Sequence, residues 1–176
     1  MAGHNKWKQI KDKKAKTDGQ KAKVFSKFAR LITMEAKKVK GDKNAPGVRT
    51  AIERARAENV TNDVIDRAVK KATEAGGTEM ESITYESYGP GGCALVISAL
   101  TDNRNKAAQE VKHILSKNGY ELASIGSASW AFKKTGDRFE ATTMVPISDA
   151  DGALLQTLIE ELEDNDEVQE VFTNAE

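Results

Sequence analysis

The apolar periods along this chain predict an α+β protein: a basic three-helix domain followed by a ferredoxin-like α/β sandwich, βαββαβ with one extra leading strand. Three observations predict it. Apolar residues recur at helical spacing as far as Gly76 and Gly77 and alternate at strand spacing soon after. The formal charge changes sign in the same region. Residues 1–71 carry 20 Lys+Arg against 8 Asp+Glu and residues 72–176 carry 7 against 19, so a chain of net charge zero joins a +12 half to a −12 half. From Cys93 onward the segments run strand, helix, strand, strand, helix, strand.

Residues 1–17 show no sustained apolar periodicity and read as a basic arm. Asp18 offers an N-cap to a first helix in which Val24, Phe28, Leu31, Ile32, Ala36 and Val39 keep helical spacing. On a wheel of about 100° per residue, Lys23, Lys27, Arg30 and Lys37 cluster opposite Phe28, Ile32 and Val39, giving a cationic face behind the core face. "GDKNAPG" breaks the pattern. Pro46 suits the first turn of a second helix, with Val48, Ile52 and Ala55 inward and Asn59 as its stop. Thr61 or Asn62 caps a third, with Val64, Ile65, Ala68, Val69 and Ala72 inward, ended by Gly76 and Gly77.

In the second half, "SITYESY" and "CALVISAL" read as strands joined by the turn "GPGG". "NRNKAAQEVKHILSKNG" is a helix, and "SASWAFKK" alternates Ala128, Trp130 and Phe132 as a strand. "KTGD" is a hairpin turn, "RFEATTMVPIS" a strand, "DADGALLQTLIEELEDND" an amphipathic helix and "VQEVFTN" a last strand. The domain boundaries expected are 1–77 for the arm and bundle and 78–176 for the α/β domain.

Composition narrows the function classes. With 39% hydrophobic and 31% charged residues the chain reads as globular, and its one cysteine, Cys93, fits a reducing compartment as a buried strand thiol. No segment approaches a membrane span, and Asp12, Asp18 and a lysine-rich start argue against a mitochondrial presequence, so a cytoplasmic location is expected. His4, Cys93 and His113 lie too far apart for a metal motif, and His113 has no nucleophile placed beside it. The glycines of "YGPGGCA" lack the GKS/GKT ending of a phosphate loop and precede a strand, so they read as a turn. The C-terminal acids read as the solvated face of a helix. No enzyme, metal, cofactor, small-molecule substrate or membrane partner is expected.

What survives is nucleic-acid binding. Lysines neutralise phosphates with release of counterions, and "GHNKWKQIKDKKAK" sets Lys6, Lys8, Lys11, Lys13, Lys14 and Lys16 around Trp7, a ring suited to stacking on an unstacked base. Lys21, Lys23, Lys27 and Arg30 extend the basic surface along the first helix. A second candidate is "TDNRNKAA", where Arg104 and Lys106 flank a helix start suited to an anion; an ordinary capped helix fits the same residues.

The blocks "GHNKWKQIKDKKAKTDGQKAKVFSKFARLI", "YESYGPGG", "LTDNRNKAAQEVKHILSKNG", "GSASWAF" and "VQEVFTNAE" resemble, in order, those of the YebC/PmpR family, which includes the mitochondrial translational activator of cytochrome oxidase. The resemblance implies a helical N-terminal domain followed by α/β domains, no catalysis, and a cytoplasmic or organellar site of action. It implies one of two functions: DNA-binding transcriptional regulation, or ribosome-associated translation activation that assists synthesis through proline-rich stretches. It also implies contacts by His4, Asn5, Lys6, Trp7, Lys11, Lys13 and Lys14, and at a second surface by Tyr88, Gly89, Pro90, Asn103, Arg104 and Asn105, beside which Lys106 lies. Members of that family run about sixty residues longer, the size of a small third domain; here a hairpin near 133–138 takes its place. The partner expected is the ribosome and its RNA, with duplex DNA as the alternative and a protein partner for the acidic α/β half as a second alternative.

Overall fold

The computed structural model describes residues 16–176, and two compact units divide them, residues 16–81 and residues 82–176. The first unit is three helices. Helix α1 (Asp18–Lys38) is capped one residue earlier than expected: Thr17 is the N-cap, its hydroxyl accepting from Gln20 N while Gln20 Oε1 accepts from Thr17 N at 2.8 Å. This reciprocal box satisfies two of the amides a helix start leaves open. Helix α2 (Pro46–Ala57) starts on Pro46, whose missing N–H costs nothing in a first turn. It ends where Asn59 takes φ +62° and Val60 N bonds back to Ala55 O at 3.0 Å. Helix α3 (Asn62–Thr73) is capped by the Thr61 hydroxyl on Val64 N. Ile32, Ala36, Val48, Ala51, Ile52, Ala55, Ile65 and Val69 form the shared core, and small residues where α1 meets α2 and α3 let the helices approach closely.

The second unit is a four-stranded sheet with two helices and a separate hairpin. In chain order it holds β1 (Glu81–Tyr88), β2 (Ala94–Thr101), α4 (Arg104–Lys117), β3 (Leu122–Ala123), β4 (Phe132–Thr135), β5 (Arg138–Ala141), α5 (Asp149–Asp164) and β6 (Val168–Thr173). The sheet order is β3-β1-β2-β6, and among the described residues β4 and β5 form a separate two-stranded sheet. The α+β class, three helices followed by an antiparallel sheet, is as expected. Its pairing departs from the ferredoxin-like order: the leading strand β1 sits inside the sheet beside β2, where that order would place the strand before the last helix.

The sequence of β4 and β5 gives the reason. "FKKT" exposes its two adjacent lysines and "RFEA" exposes Arg138 and Glu140 at alternate positions, too polar for a sheet centre, while β2 is buried along nearly its whole length. The expected strand through "SASWAFKK" is shortened too, since Ser129–Ala131 forms a 3₁₀ turn and extended pairing starts at Phe132. The strand expected through "RFEATTMVPIS" stops at Ala141. Val145 then bridges Ala175 in parallel, with Val145 N bonding Asn174 O at 2.9 Å and Glu176 N bonding Val145 O at 2.8 Å.

Asn174 fastens this return. Its buried amide accepts from Ala94 N at 2.6 Å and donates to Thr143 O at 2.8 Å, tying the start of β2 to the segment after the hairpin. The core beneath the sheet is Leu95, Ile97, Val111, Leu115, Leu155, Leu158, Leu162, Val168 and Val171. Helix α5 presents Leu155, Leu158, Ile159 and Leu162 to this core, while Leu154 is exposed along with the acids Asp149, Glu160 and Asp164.

Candidate nucleic-acid interface

His4, Asn5, Lys6, Trp7, Lys8, Lys11, Lys13 and Lys14 lie outside the described residues. The basic candidates that follow are described. Lys16 is exposed and paired with Glu58 at 2.6 Å, an exchangeable surface contact worth about 0–1 kcal/mol. Lys21 is exposed on the first turn of α1. Lys23, Lys27 and Arg30 are half-buried and each already interacts within the protein, so the cationic face of α1 is less open than its wheel implies.

Helices α2 and α3 and the loop before α2 add further cations. Lys40, Arg49, Lys70 and Lys71 are exposed. Others are paired: Lys43 with Asp66 at 2.7 Å, Arg67 with Asp63 at 2.9 Å, and the Arg54 guanidinium with the Phe28 ring, 5.8 Å from its centroid. On α2 the exposed row runs Arg49, Glu53, Arg56, and on α3 it includes Asp63, Asp66, Arg67 and Lys70. Each helix therefore exposes acids about one turn from its bases.

The second candidate surface separates into two places. Tyr88, Gly89 and Pro90 lie at one end of the β1–β2 hairpin, and Asn103, Arg104, Asn105 and Lys106 follow the other end of β2. Eight strand residues put about 25 Å between them. At the turn, Gly89 and Pro90 are buried and offer no side surface. Gly91 takes φ +70° with Ile147 beneath it, a place where a Cβ would lie 2.6 Å from the isoleucine methyl. At the far end, Asn103 is an ordinary N-cap, its Oδ1 accepting from Lys106 N at 3.1 Å, and Lys106 Nζ reaches Glu167 at 3.4 Å. That helix start is capped and flanked by carboxylate, which disfavours an anion. Arg104 and Asn105 are exposed beside it.

The turn end carries a constellation the residue pattern missed. The Glu86 carboxylate, 5% exposed inside β1, accepts from Gly126 N at 2.7 Å, Ala128 N at 3.0 Å and Ser129 N at 2.6 Å. Burial pushes its pKa up, but the backbone amides of Gly126, Ser129 and Ala128 together outweigh that and hold the carboxyl below its usual range. These bonds curl residues 126–131 into a turn and rotate Trp130 outward, where a strand would have aligned it with Ala128 and Phe132. Trp130 is 58% exposed, its Nε1–H donates to Tyr88 Oη at 2.9 Å, and the Tyr88 hydroxyl donates to Ser127 O. A lone acid among the aromatics of "TYESY" was the available signal.

Cys93 is fully buried and burial pushes its thiol pKa up, the opposite of what a nucleophile needs. Among the described residues no helix is long and apolar enough to cross a membrane.

Known proteins are similar to this chain in sequence and in fold. Residues 5–75 match the family model described as the TACO1/YebC protein N-terminal domain, and residues 80–140 match the one described as the TACO1/YebC second and third domain. A probable transcriptional regulatory protein of Halothermothrix orenii is 48% identical over 138 residues, 77% of this chain and 54% of that protein, so the chain spans about half the length of that relative. A Petrotoga mobilis protein of the same description is 42% identical over all of this chain and 71% of its own length. One from Desulforamulus reducens is 35% identical over 240 positions, which cover all of this chain and 99% of that protein. The crystal structure of a conserved hypothetical protein from Aquifex aeolicus superposes with a TM-score of 0.81 at 28% identity, covering 97% of this chain and 96% of that one.

Proposed function

This chain belongs to the TACO1/YebC family, and on that premise we propose that it is a non-enzymatic, nucleic-acid-binding regulator of gene expression that grips ribosomal RNA and activates translation. What supports the reading is the distribution of charge. Residues 1–71 carry the +12, and a lysine-rich arm with one tryptophan suits a target dominated by phosphate, shape and unstacked bases.

Duplex DNA is the second reading, favoured by the description of the relatives as probable transcriptional regulatory proteins. Reading a major groove needs a helix whose Arg, Asn or Gln side chains reach base edges without carboxylates facing the phosphates. The exposed rows of α2 and α3 place Glu53, Asp63 and Asp66 among their bases. This argues for the RNA reading.

The chain is a short form on this reading. The Desulforamulus alignment runs over 240 positions while this chain has 176 residues, in keeping with a third domain replaced by the hairpin near 133–138, after an arm and bundle of 1–77 and within an α/β domain of 78–176. Its site of action on this reading is the cytoplasm.

The test is ribosome co-sedimentation from a lysate at two salt concentrations, comparing the intact chain with Lys11→Glu/Lys13→Glu/Lys14→Glu, alongside binding to mixed-sequence duplex DNA. The expected result is that the intact chain travels with ribosomes, the variant stays in the supernatant, and DNA binding is weak and non-specific. For every phosphate that the variant no longer neutralises, the salt dependence should flatten by about 0.7–0.9 log units per log unit of salt. Tight binding to one duplex with no ribosome association would replace the RNA reading by the transcriptional one.

A further inference from the structure

The Tyr88–Trp130 pair is built unlike a core contact. Burying an indole is among the larger hydrophobic gains open to a fold, yet this one is 58% exposed and is held that way by polar bonds. Its N–H is spent on Tyr88 Oη, and the tyrosine hydroxyl on Ser127 O. The loop beneath is fixed by the three amides on the buried Glu86 carboxylate. Tyr88 is itself 38% exposed and Ile125, on the same loop, 96%. The result is a fixed aromatic surface with no free donor, whose remaining capacity to interact lies in its rings.

The charge around it is also unlike its half of the chain. Residues 72–176 hold only 7 Lys+Arg, and three of these, Lys133, Lys134 and Arg138, fall on the β4–β5 hairpin that starts two residues after Trp130. Lys133 and Lys134 are exposed, Lys133 across the hairpin from Glu140 and Lys134 Nζ 5.8 Å from the Phe139 ring centroid, with Asp137 at the turn between the strands. Open rings, followed at once in the chain by a hairpin that carries ammonium groups, fit a nucleobase and the phosphate next to it. A protein partner would ordinarily exploit the indole N–H or the phenol hydroxyl, and both are already used.

We propose that Tyr88 and Trp130 form a stacking platform for an unpaired base of single-stranded RNA, with Lys133 and Lys134 meeting the adjoining phosphates. The platform rests on the RNA reading above and deepens it: it gives the α/β unit a contact of its own, selective for unstacked bases and indifferent to their identity.

The test uses the full chain with Trp7→Phe, which leaves Trp130 as its one indole, titrated with a 12-nucleotide oligouridylate and with an RNA duplex of equal length, reading tryptophan emission and the anisotropy of a label on the RNA. Stacking predicts that the single strand quenches Trp130 and the duplex leaves it nearly unchanged. In the otherwise intact chain, Trp130→Ala should weaken single-strand binding about 5- to 150-fold at an unchanged salt slope, while Trp130→Phe, which keeps a ring and loses the N–H, should retain most of it. Binding seen by anisotropy without quenching, or a Trp130→Ala chain that binds like the parent, overturns the platform and leaves the RNA reading standing. Absence of any anisotropy change at low salt sinks both. If Trp130→Ala fails to fold, the quenching comparison decides alone.

Discussion

Glu86 shows how much one side chain decides here. A carboxylate in a strand interior costs desolvation, and three backbone amides repay it only while it is ionised. Glu86→Gln places an NH₂ group among donors, so loss of about 1–3 kcal/mol is expected in chemical denaturation of the α/β unit. The amides of Gly126, Ala128 and Ser129 should lose their hydrogen-exchange protection first. The pH dependence has a fixed sign. A carboxyl whose folded pKa is depressed adds stability that is fully present above its unfolded pKa and is lost as pH falls through the folded value. Protection of these three amides should therefore hold at neutral pH and drop on acidification, and the Gln variant should show no such drop. Asn174 is the second such residue: Asn174→Ala orphans Ala94 N and Thr143 O, at about 1–3 kcal/mol each, read as a lowered denaturation midpoint. Neither role was legible in the sequence. An acid or amide in a strand looks the same whether it faces water or three amides across the sheet, and the partners lie some 30 to 80 residues away.

At the scale of elements, what was legible was what local chemistry specifies. The second and third N-terminal helices announce themselves by Pro46, Asn59 and Thr61, while the first is capped by Thr17 with Gln20, one residue before the expected Asp18. Replacing Thr17 by Ala removes one side of the capping box and should cost about 1 kcal/mol, measured by denaturation followed through helical circular dichroism. Strand order was not legible, because pairing is settled by competition between segments. β2 must be covered on both faces, and the polar β4 and β5 cannot compete with β1 for the place beside it. The turn between β1 and β2 shows the same division. Its glycines marked a turn, but that Gly91 closes against Ile147 became visible only in three dimensions. Gly91→Ala adds a positive-φ strain to a 2.6 Å overlap and should destabilise the unit by about 1–3 kcal/mol, whereas Gly92→Ala, with open space around it, meets only the strain.

For the molecule as a whole, the charge split was the most informative feature of the sequence. It singled out the arm and first helix as the candidate grip, of which eight candidate residues, five of them lysines, lie outside the described residues and Lys16, Lys21, Lys23, Lys27 and Arg30 lie on or beside α1. The α/β unit has a position suited to insertion. Gly136, at φ +64° with nothing within 4 Å of where a Cβ would stand, tips a hairpin that, among the described residues, forms a two-stranded sheet of its own. Inserting a Gly/Ser loop of about ten residues between Gly136 and Asp137 should cost under about 1 kcal/mol, checked by the denaturation midpoint, while the same insertion between Gly91 and Gly92 should not be tolerated. The buried thiol of Cys93 gives the molecule a built-in clock. It is the one sulfhydryl in the chain, sits where β2 begins, and is sealed beneath Leu95, Leu155 and their neighbours. A thiol reagent can reach it only in moments when the sheet parts, so the rate at which native protein is labelled counts those partings. A bound partner that holds the α/β unit closed will slow that count, even though it never touches the sulfur.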